Sequence, residues 1–462
     1  MTTITETKTF SLTQVAAEME RRIRAALEMS RATAESPIAR LVRIQIPVER
    51  VSAHDWLALQ SSEVQLLWSG RDDDWCVAGV GALDTVTAEE GARPDEIFAT
   101  LRERIGDDPN IRYYGGFGFG PHSTDDEGWR EFGPSRFILP EFELVTNAEG
   151  CFFACNLRPS DSSMQDVIAH LQRLTFEGLH AIGELPGIDS RVDSPDRAGW
   201  CELVSTALGL IKEEVLEKLV LARRATFLFD AHIDAATVLA RLRPLTSNCY
   251  HFLFQVRQGL AFMGTTPERL YRRVDQLIQS EVIAGTRPRS TDATADETLS
   301  RDLMSSEKDQ REHDIVRKAI RQRLHLLCAS LEVDETARLL KLERKQHLFS
   351  GVIGTLKPGV SDGEIMRSLH PTPAVGGYPS EVAVAEIERL EPFVRGWYAA
   401  PLGWVGATAT EFAVAIRSGL VQGDSVSVYS GAGIVSGSVP DDEWLEIENK
   451  IVDFVKVTSA NC

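Results

Sequence analysis

The chain has 462 residues, 43% of them hydrophobic and 25% charged, with a formal net charge of −19. That length allows two or three ordinary domains or one large one, and the composition is that of a soluble globular protein. The negative charge argues against nucleic acid and anionic membranes as partners, but local arginines and a metal can still reverse the field inside one pocket for an anionic small molecule.

Residues 11–30 are predicted to form an opening helix. Alternating or apolar stretches at Leu41–Ile46, Val64–Trp68, Trp75–Val80, Tyr113–Phe119 and Arg136–Leu144 follow as strands of a mainly antiparallel sheet. Gly-Gly-Phe-Gly-Phe-Gly at 115–120 superficially matches a dinucleotide fingerprint, but no helix or distal acidic residue follows. A glycine-rich strand packed against another backbone is the better reading. Residues 160–195 read as a connection around one helical stretch. Beyond Trp200 helices and strands alternate, with a helix at about 200–216, the strand Leu219–Phe229, and long helices near 294–330 and 440–457. The mixture suggests α+β layers and not a doubly wound parallel sheet. No apolar run approaches the roughly 20 residues that span a bilayer. Met1–Lys8 lacks the apolar centre of a secretory signal, and disorder is expected only within the first ten residues. Seven scattered cysteines without a Cys-x-x-Cys pair suggest reduced thiols and a cytoplasmic location.

Several polar residues stand at element ends. Lys218 sits where a helix gives way to an apolar strand; alone it would pass for a snorkelling surface lysine. Glu268 follows the turn Gly264-Thr-Thr-Pro267 and opens a strand, where a lone carboxylate would simply be exposed. Asp309 and Glu312 are three apart on one helix and share a face. Glu446 and Lys450 are four apart beside the buried stripe Trp444, Ile447, Ile451 and Phe454. Arg417 offers a planar fork for a carboxylate. Gly431 and Gly433 lie in Ser-Gly-Ala-Gly after the strand Ser425–Tyr429. Such glycines let backbone N–H groups close around a carboxylate, or merely make a tight turn.

Six segments carry these residues: Glu-Lys-Leu-Val-Leu-Ala-Arg (217–223), Thr-Thr-Pro-Glu-Arg-Leu (265–270), Glu-Val-Ile-Ala-Gly-Thr-Arg (281–287), Ser-Glu-Lys-Asp-Gln-Arg-Glu-His (306–313), Ile-Arg-Ser-Gly (416–419) and Gly-Ala-Gly-Ile-Val (431–435). Together they resemble the chorismate-utilising enzymes, most strongly over about 195–457. The resemblance implies one large two-layered α/β sandwich of the anthranilate synthase component I type. Residues 1–195 would be its N-terminal part and 196–462 the chorismate-binding catalytic region. It implies that Lys218 is the base that activates water and Glu268 the acid for the leaving 4-hydroxyl. Glu312 and Glu446 match the family's Mg²⁺ ligands, and Asp309 a third acidic position acting through water. Asn449 stands where some members carry another glutamate. Gly285, Thr286, His347, Tyr398, Ile416, Arg417, Gly431, Gly433 and Lys450 would line or hold the substrate chorismate, and His370 reads as a structural turn residue.

Two departures narrow the expected chemistry. Some aminodeoxychorismate synthases carry a lysine nucleophile in Pro-Ile-Lys-Gly-Thr, whereas this chain has Val282-Ile283-Ala284-Gly285-Thr286. Anthranilate synthases generally lack the base that Lys218 would supply. No Gly-x-Cys-x-Gly amidotransferase elbow occurs in the chain. Water is therefore the expected nucleophile and isochorismate the expected product, with salicylate synthase, an amine-using member and a non-catalytic chorismate-binding protein as alternatives. At Tyr-Gly-Gly-Phe-Gly-Phe and Glu391-Pro-Phe…Trp397-Tyr398 the resemblance is closer to menaquinone-type isochorismate synthases. These residues leave pathway and oligomeric state open.

Overall fold

The structure is a computed structural model that describes residues 9–32, 41–71, 75–121, 123–158, 161–176, 183–342 and 344–458. The reading of Met1–Lys8 lies outside the described residues. Among the described residues two antiparallel sheets dominate, and the strand counts refer to these residues. The larger has twelve strands; its path runs Val42–Val48, Gly150–Leu157, Phe142–Asn147, Cys76–Val80, Gln65–Ser69, Tyr250–Arg257, Leu260–Thr266, Ser418–Gln422, Ser425–Ile434, Lys218–Phe229 and Gly377–Tyr378, with Ile188–Ser194 beside Lys218–Phe229. The second has ten and runs Cys328–Val333, Lys345–Leu356, Leu277–Pro288, Arg269–Val274, Ala409–Val414, Pro401–Gly406, Arg112–Phe117, Ser135–Leu139 and Asp84–Thr87, with Arg338–Lys341 beside Lys345–Leu356. The fold is α+β, as expected.

Strands from the first 195 residues join both sheets directly. Gln65–Ser69 pairs with Tyr250–Arg257, and Arg112–Phe117 with Pro401–Gly406. One apolar core takes Phe252 and Phe254 from the first sheet and Phe137, Trp404 and Phe412 from the second. A second core covers the other side of the larger sheet, where Val15, Met19 and Ile23 of the opening helix Leu12–Ala32 and Ile451 and Phe454 of the last helix are buried. Burying such side chains is worth about 1.5–3 kcal/mol each.

Three sequence expectations change. Arg136–Leu144 is not one strand: Pro140, which has no N–H to give a ladder, separates Ser135–Leu139 in one sheet from Phe142–Asn147 in the other. The helix near 294–330 is two helices, Ala293–Ser305 and Glu307–Leu327. Ser306 divides them in an extended conformation, and its side chain accepts the Asp309 N–H as an N-cap. Residues 160–195 are not merely a connection, since Ile188–Ser194 pairs along Lys218–Phe229. The glycine-rich stretch does pack against backbone: a Cβ at Gly115 would overlap the Arg136 carbonyl, and one at Gly116 would come within 2.6 Å of the Pro401 carbonyl. No described helix is long and apolar enough to cross a membrane.

Candidate active site

Strand ends and two helices converge on a cavity of about 90 Å³. Glu268, Gly285, Thr286, Glu312, His347, Tyr398, Ile416, Arg417, Gly431, Gly433, Glu446 and Lys450 all line it. Twelve of the residues singled out in the sequence thus meet at one place. Asp309 does not line it. It faces an adjoining opening of about 920 Å³, and its carboxylate is 2.9 Å from Arg287 Nη2. Lys218 stands just behind the wall, fully buried, with Nζ 2.9 Å from Glu312 Oε1. This contact is not a well-directed hydrogen bond, so Lys218 Nζ keeps unused hydrogen-bonding capacity. His370 lies elsewhere and is structural: it ends the helix Asp362–Leu369, and its Nε2 is 3.3 Å from the Phe119 carbonyl.

The Ser-Gly-Ala-Gly segment is not a turn. Ser425–Ile434 continues through it as a strand, with Gly431 opposite Ala222 and Gly433 opposite Val220. The Ala222 N–H goes the other way, to Glu391 Oε1, and the Val220 N–H to the Gly376 carbonyl. Both are therefore non-hydrogen-bonded pairs, so the N–H groups of Gly431 and Gly433 point away from the Lys218–Phe229 strand. The strand on that side, Ser418–Gln422, pairs only as far as Val428. The two N–H groups are thus available on the cavity edge, and Lys450 Nζ donates to the Gly431 carbonyl at 2.8 Å. Gly433 has a second role. A Cβ there would overlap Glu312 Oε1 and lie 2.7 Å from Lys218 Cε. Gly433→Ala is expected to lower kcat about 10²-fold by displacing this pair, since a misplacement of about 1 Å can cost that much. Wild-type steady-state rates for the variant would contradict that role.

Glu268 is 5% exposed. Burial, reinforced by Glu281, pushes its carboxyl up to about 8 against the pull of Lys218, Lys450 and Arg417. Glu281 is fixed by Arg71 at 2.6 and 2.8 Å, and it accepts the Arg269 N–H at 2.7 Å, next to Glu268. Sequence reading passed over Arg71 and gave Glu281 no role, because their partnership spans 210 residues.

Arg417 has a positive φ of 49°, a conformation that a bulky side chain adopts only under constraint. Its guanidinium donates to His347 Nε2 at 3.1 Å, while His347 Nδ1 is 3.0 Å from Thr286 Oγ1 and 3.3 Å from the Gly285 carbonyl. Burial and the facing Arg417 hold the His347 imidazole well below its ordinary value. It is therefore neutral, able to accept at Nε2 and donate at Nδ1. Tyr398 stacks on Tyr429 with ring centroids 5.1 Å apart. Two further residues, Glu391 and Arg395, clamp the strand that carries Lys218, since Arg395 also donates to the Val220 carbonyl at 2.8 Å.

Glu312 and Glu446 bring carboxylates from two helices to one cavity. Burial works against ionised Glu446, but Lys450 and then Lys308 hold it below its ordinary value. Lys218 and Lys450 each engage one oxygen of these carboxylates, at 2.9 and 2.7 Å, and each carboxylate keeps a second oxygen for a cation. Two hard oxygen donors suit Mg²⁺ completed by water and substrate oxygens. Among the described residues, no group of three His, Cys, Asp or Glu side chains could hold a metal. Asp309 is accordingly not part of such a group.

The family model for chorismate binding enzymes matches residues 25–459. The chain belongs to this family. The chain is similar to isochorismate synthase 2, chloroplastic, of Arabidopsis thaliana, at 34% identity over 90% of this chain and 80% of that protein's length. Isochorismate synthase MenF of Haemophilus influenzae is 31% identical over 96% of each. In structure the chain is similar to MenF, the menaquinone-specific isochorismate synthase of Escherichia coli. The TM-score is 0.80 at 31% identity, covering 94% of this chain and 99% of that one. This relationship extends over the N-terminal part, where the sequence motifs are weakest.

Proposed function

We propose that this chain is an isochorismate synthase, an isomerase that moves a hydroxyl of chorismate from C4 to C2. The observation that carries the reading is Glu268, a buried carboxyl pushed up to about 8, in one cavity with Glu312, whose carboxylate meets Lys218. Names of the similar proteins in plants and bacteria support the same activity. Lys218, acting in its free-amine form, takes a proton from water as the water oxygen bonds to C2. The ring double bonds shift, the C4–O bond breaks, and Glu268 protonates the departing hydroxyl, which leaves as water. One water enters and one leaves, so the product is an isomer. Arg417, held by His347, and the N–H groups of Gly431 and Gly433 receive the two carboxylates. Glu312 and Glu446 would hold Mg²⁺, which supplies positive charge to stabilise the conjugated carboxylate in the transition state. Likeness to a menaquinone-specific enzyme supports a place in menaquinone formation, and six free cysteines among the described residues suit the cytoplasm.

The test is incubation of the pure protein with chorismate and Mg²⁺, quenched early and separated by chromatography. Isochorismate is expected as the first product. Salicylate and pyruvate forming at the rate of chorismate loss would instead make the enzyme a salicylate synthase. Full turnover in excess EDTA would remove the metal from the reading.

A further inference from the structure

Outside the catalytic cavity, the 920 Å³ opening shares Thr286, Glu446 and Lys450 with it and is the mouth of the site. Its wall carries a cluster of cations that the proposed chemistry does not use. Lys345 is 8% exposed, and its Nζ has no hydrogen-bond partner. Asp453 lies 3.6 Å from Lys345 Nζ and 3.9 Å from Arg344 Nη1, and its own Oδ1 is also without a hydrogen bond. Lys456 adds an exposed third cation to the same wall. Arg344 and Lys345 therefore share one carboxylate, and over the whole lining seven Lys and Arg face four Asp and Glu, an excess of three positive charges in a chain whose net charge is −19.

The backbone explains the placement. Lys345 and His347 are two apart on the strand Lys345–Leu356, so they share a face. His347 points inward and holds Arg417, while Lys345 lies toward the mouth. On the last helix, Glu446, Asn449, Asp453 and Lys456 follow at intervals of four and three and line the same opening. Arg417 is itself near this group: it lines a small cavity of about 20 Å³ together with Arg344, Lys345 and Asp453.

We propose that Arg344, Lys345 and Lys456 form an outer subsite that captures a small dicarboxylate at the mouth and passes it inward to Arg417. The proposal rests on the reading of the enzyme's substrate as a dianion, and it deepens that reading. Burial, Arg417 and Lys450 push the Lys345 ammonium down to about 7 against the pull of Asp453, and an arriving carboxylate supplies the hydrogen-bond acceptor that Nζ does not find in Asp453 at 3.6 Å. A cleft of net positive charge on an acidic protein concentrates an anionic ligand and accelerates its entry, an effect that salt screens.

Calorimetric titration of malonate, a non-reacting dianion, into the full chain at low ionic strength tests the subsite without turnover. Lys345→Met should weaken malonate about tenfold, the worth of one close charge pair. Arg344→Gln and Lys456→Gln should each weaken it about two- to threefold, and they carry the test if Lys345→Met does not fold. Arg417→Gln should retain outer binding, altered only through its coupling to Lys345. Unchanged binding in the Arg344, Lys345 and Lys456 variants, or its loss in Arg417→Gln, would overturn the subsite. With chorismate, Lys345→Met should lower kcat/KM and flatten its dependence on ionic strength, with kcat within about twofold. Equal salt slopes in variant and wild type would also overturn it. Failure to turn over chorismate at all would refute the proposed function and leave the malonate result standing.

Discussion

Glu268→Gln is expected to lose turnover by at least about 10²–10⁴-fold, the usual contribution of a positioned acid. Glutamine keeps the shape but cannot protonate the leaving hydroxyl. In the wild type the acid must carry its proton, so kcat/KM should fall as pH rises through about 8, where the buried carboxyl ionises. The same group sets a stability trend. Its folded value of about 8 lies above the roughly 4.3 of an unfolded glutamate. Between these limits the folded state binds more protons than the unfolded state, so stability falls as pH rises. The contribution is fully present below about pH 4 and gone above about 8, an effect of order a few kcal/mol at most. Glu268→Gln has no such proton to lose. Its melting temperature should therefore gain on the wild type from pH 5 to pH 9. Parallel melting curves across that range, with activity retained at pH 7, would remove Glu268 from the acid role.

Lys218→Ala should be comparably slow for a different reason. Water is a poor nucleophile without a base, and Lys218 is the group that engages Glu312, with Nζ 2.9 Å from Oε1. A loss of about 10²–10⁴-fold in kcat is expected, with substrate still bound by Arg417 and the glycine strand. Removing Lys218 also frees Glu312, so the rate alone does not define its role. Added ammonia, which needs no base to attack, separates the two effects. It should restore chorismate consumption in Lys218→Ala and not in Glu268→Gln. Failure of ammonia to do so, with chorismate and Mg²⁺ still bound, would make Lys218 a partner of Glu312 and not the base. In the reverse direction the two groups exchange roles, so both variants should be inactive from isochorismate as well.

What the sequence by itself determined are the chemical identities and their local placement. Lys218 opens a strand, Glu268 follows a turn, and Glu446 and Lys450 share a helix stripe, because these depend on propensity and spacing within a dozen residues. The change from lysine to Ala284 in one short motif was also enough to set aside a covalent lysine route. Tertiary structure decided everything that depends on partners far along the chain. Gly431 and Gly433 run in a strand and not a turn because Lys218–Phe229 pairs alongside them. Glu268 is kept protonated by burial in a folded wall and by Glu281, whose own charge is fixed by Arg71. Asp309 faces the mouth instead of the catalytic cavity because Arg287 holds it there. Lys345, in a segment noted only for its histidine, acquired significance once the last helix was packed opposite it. Side-chain type is a local property, whereas desolvation and charge neighbourhood are sums over residues that only the fold brings together.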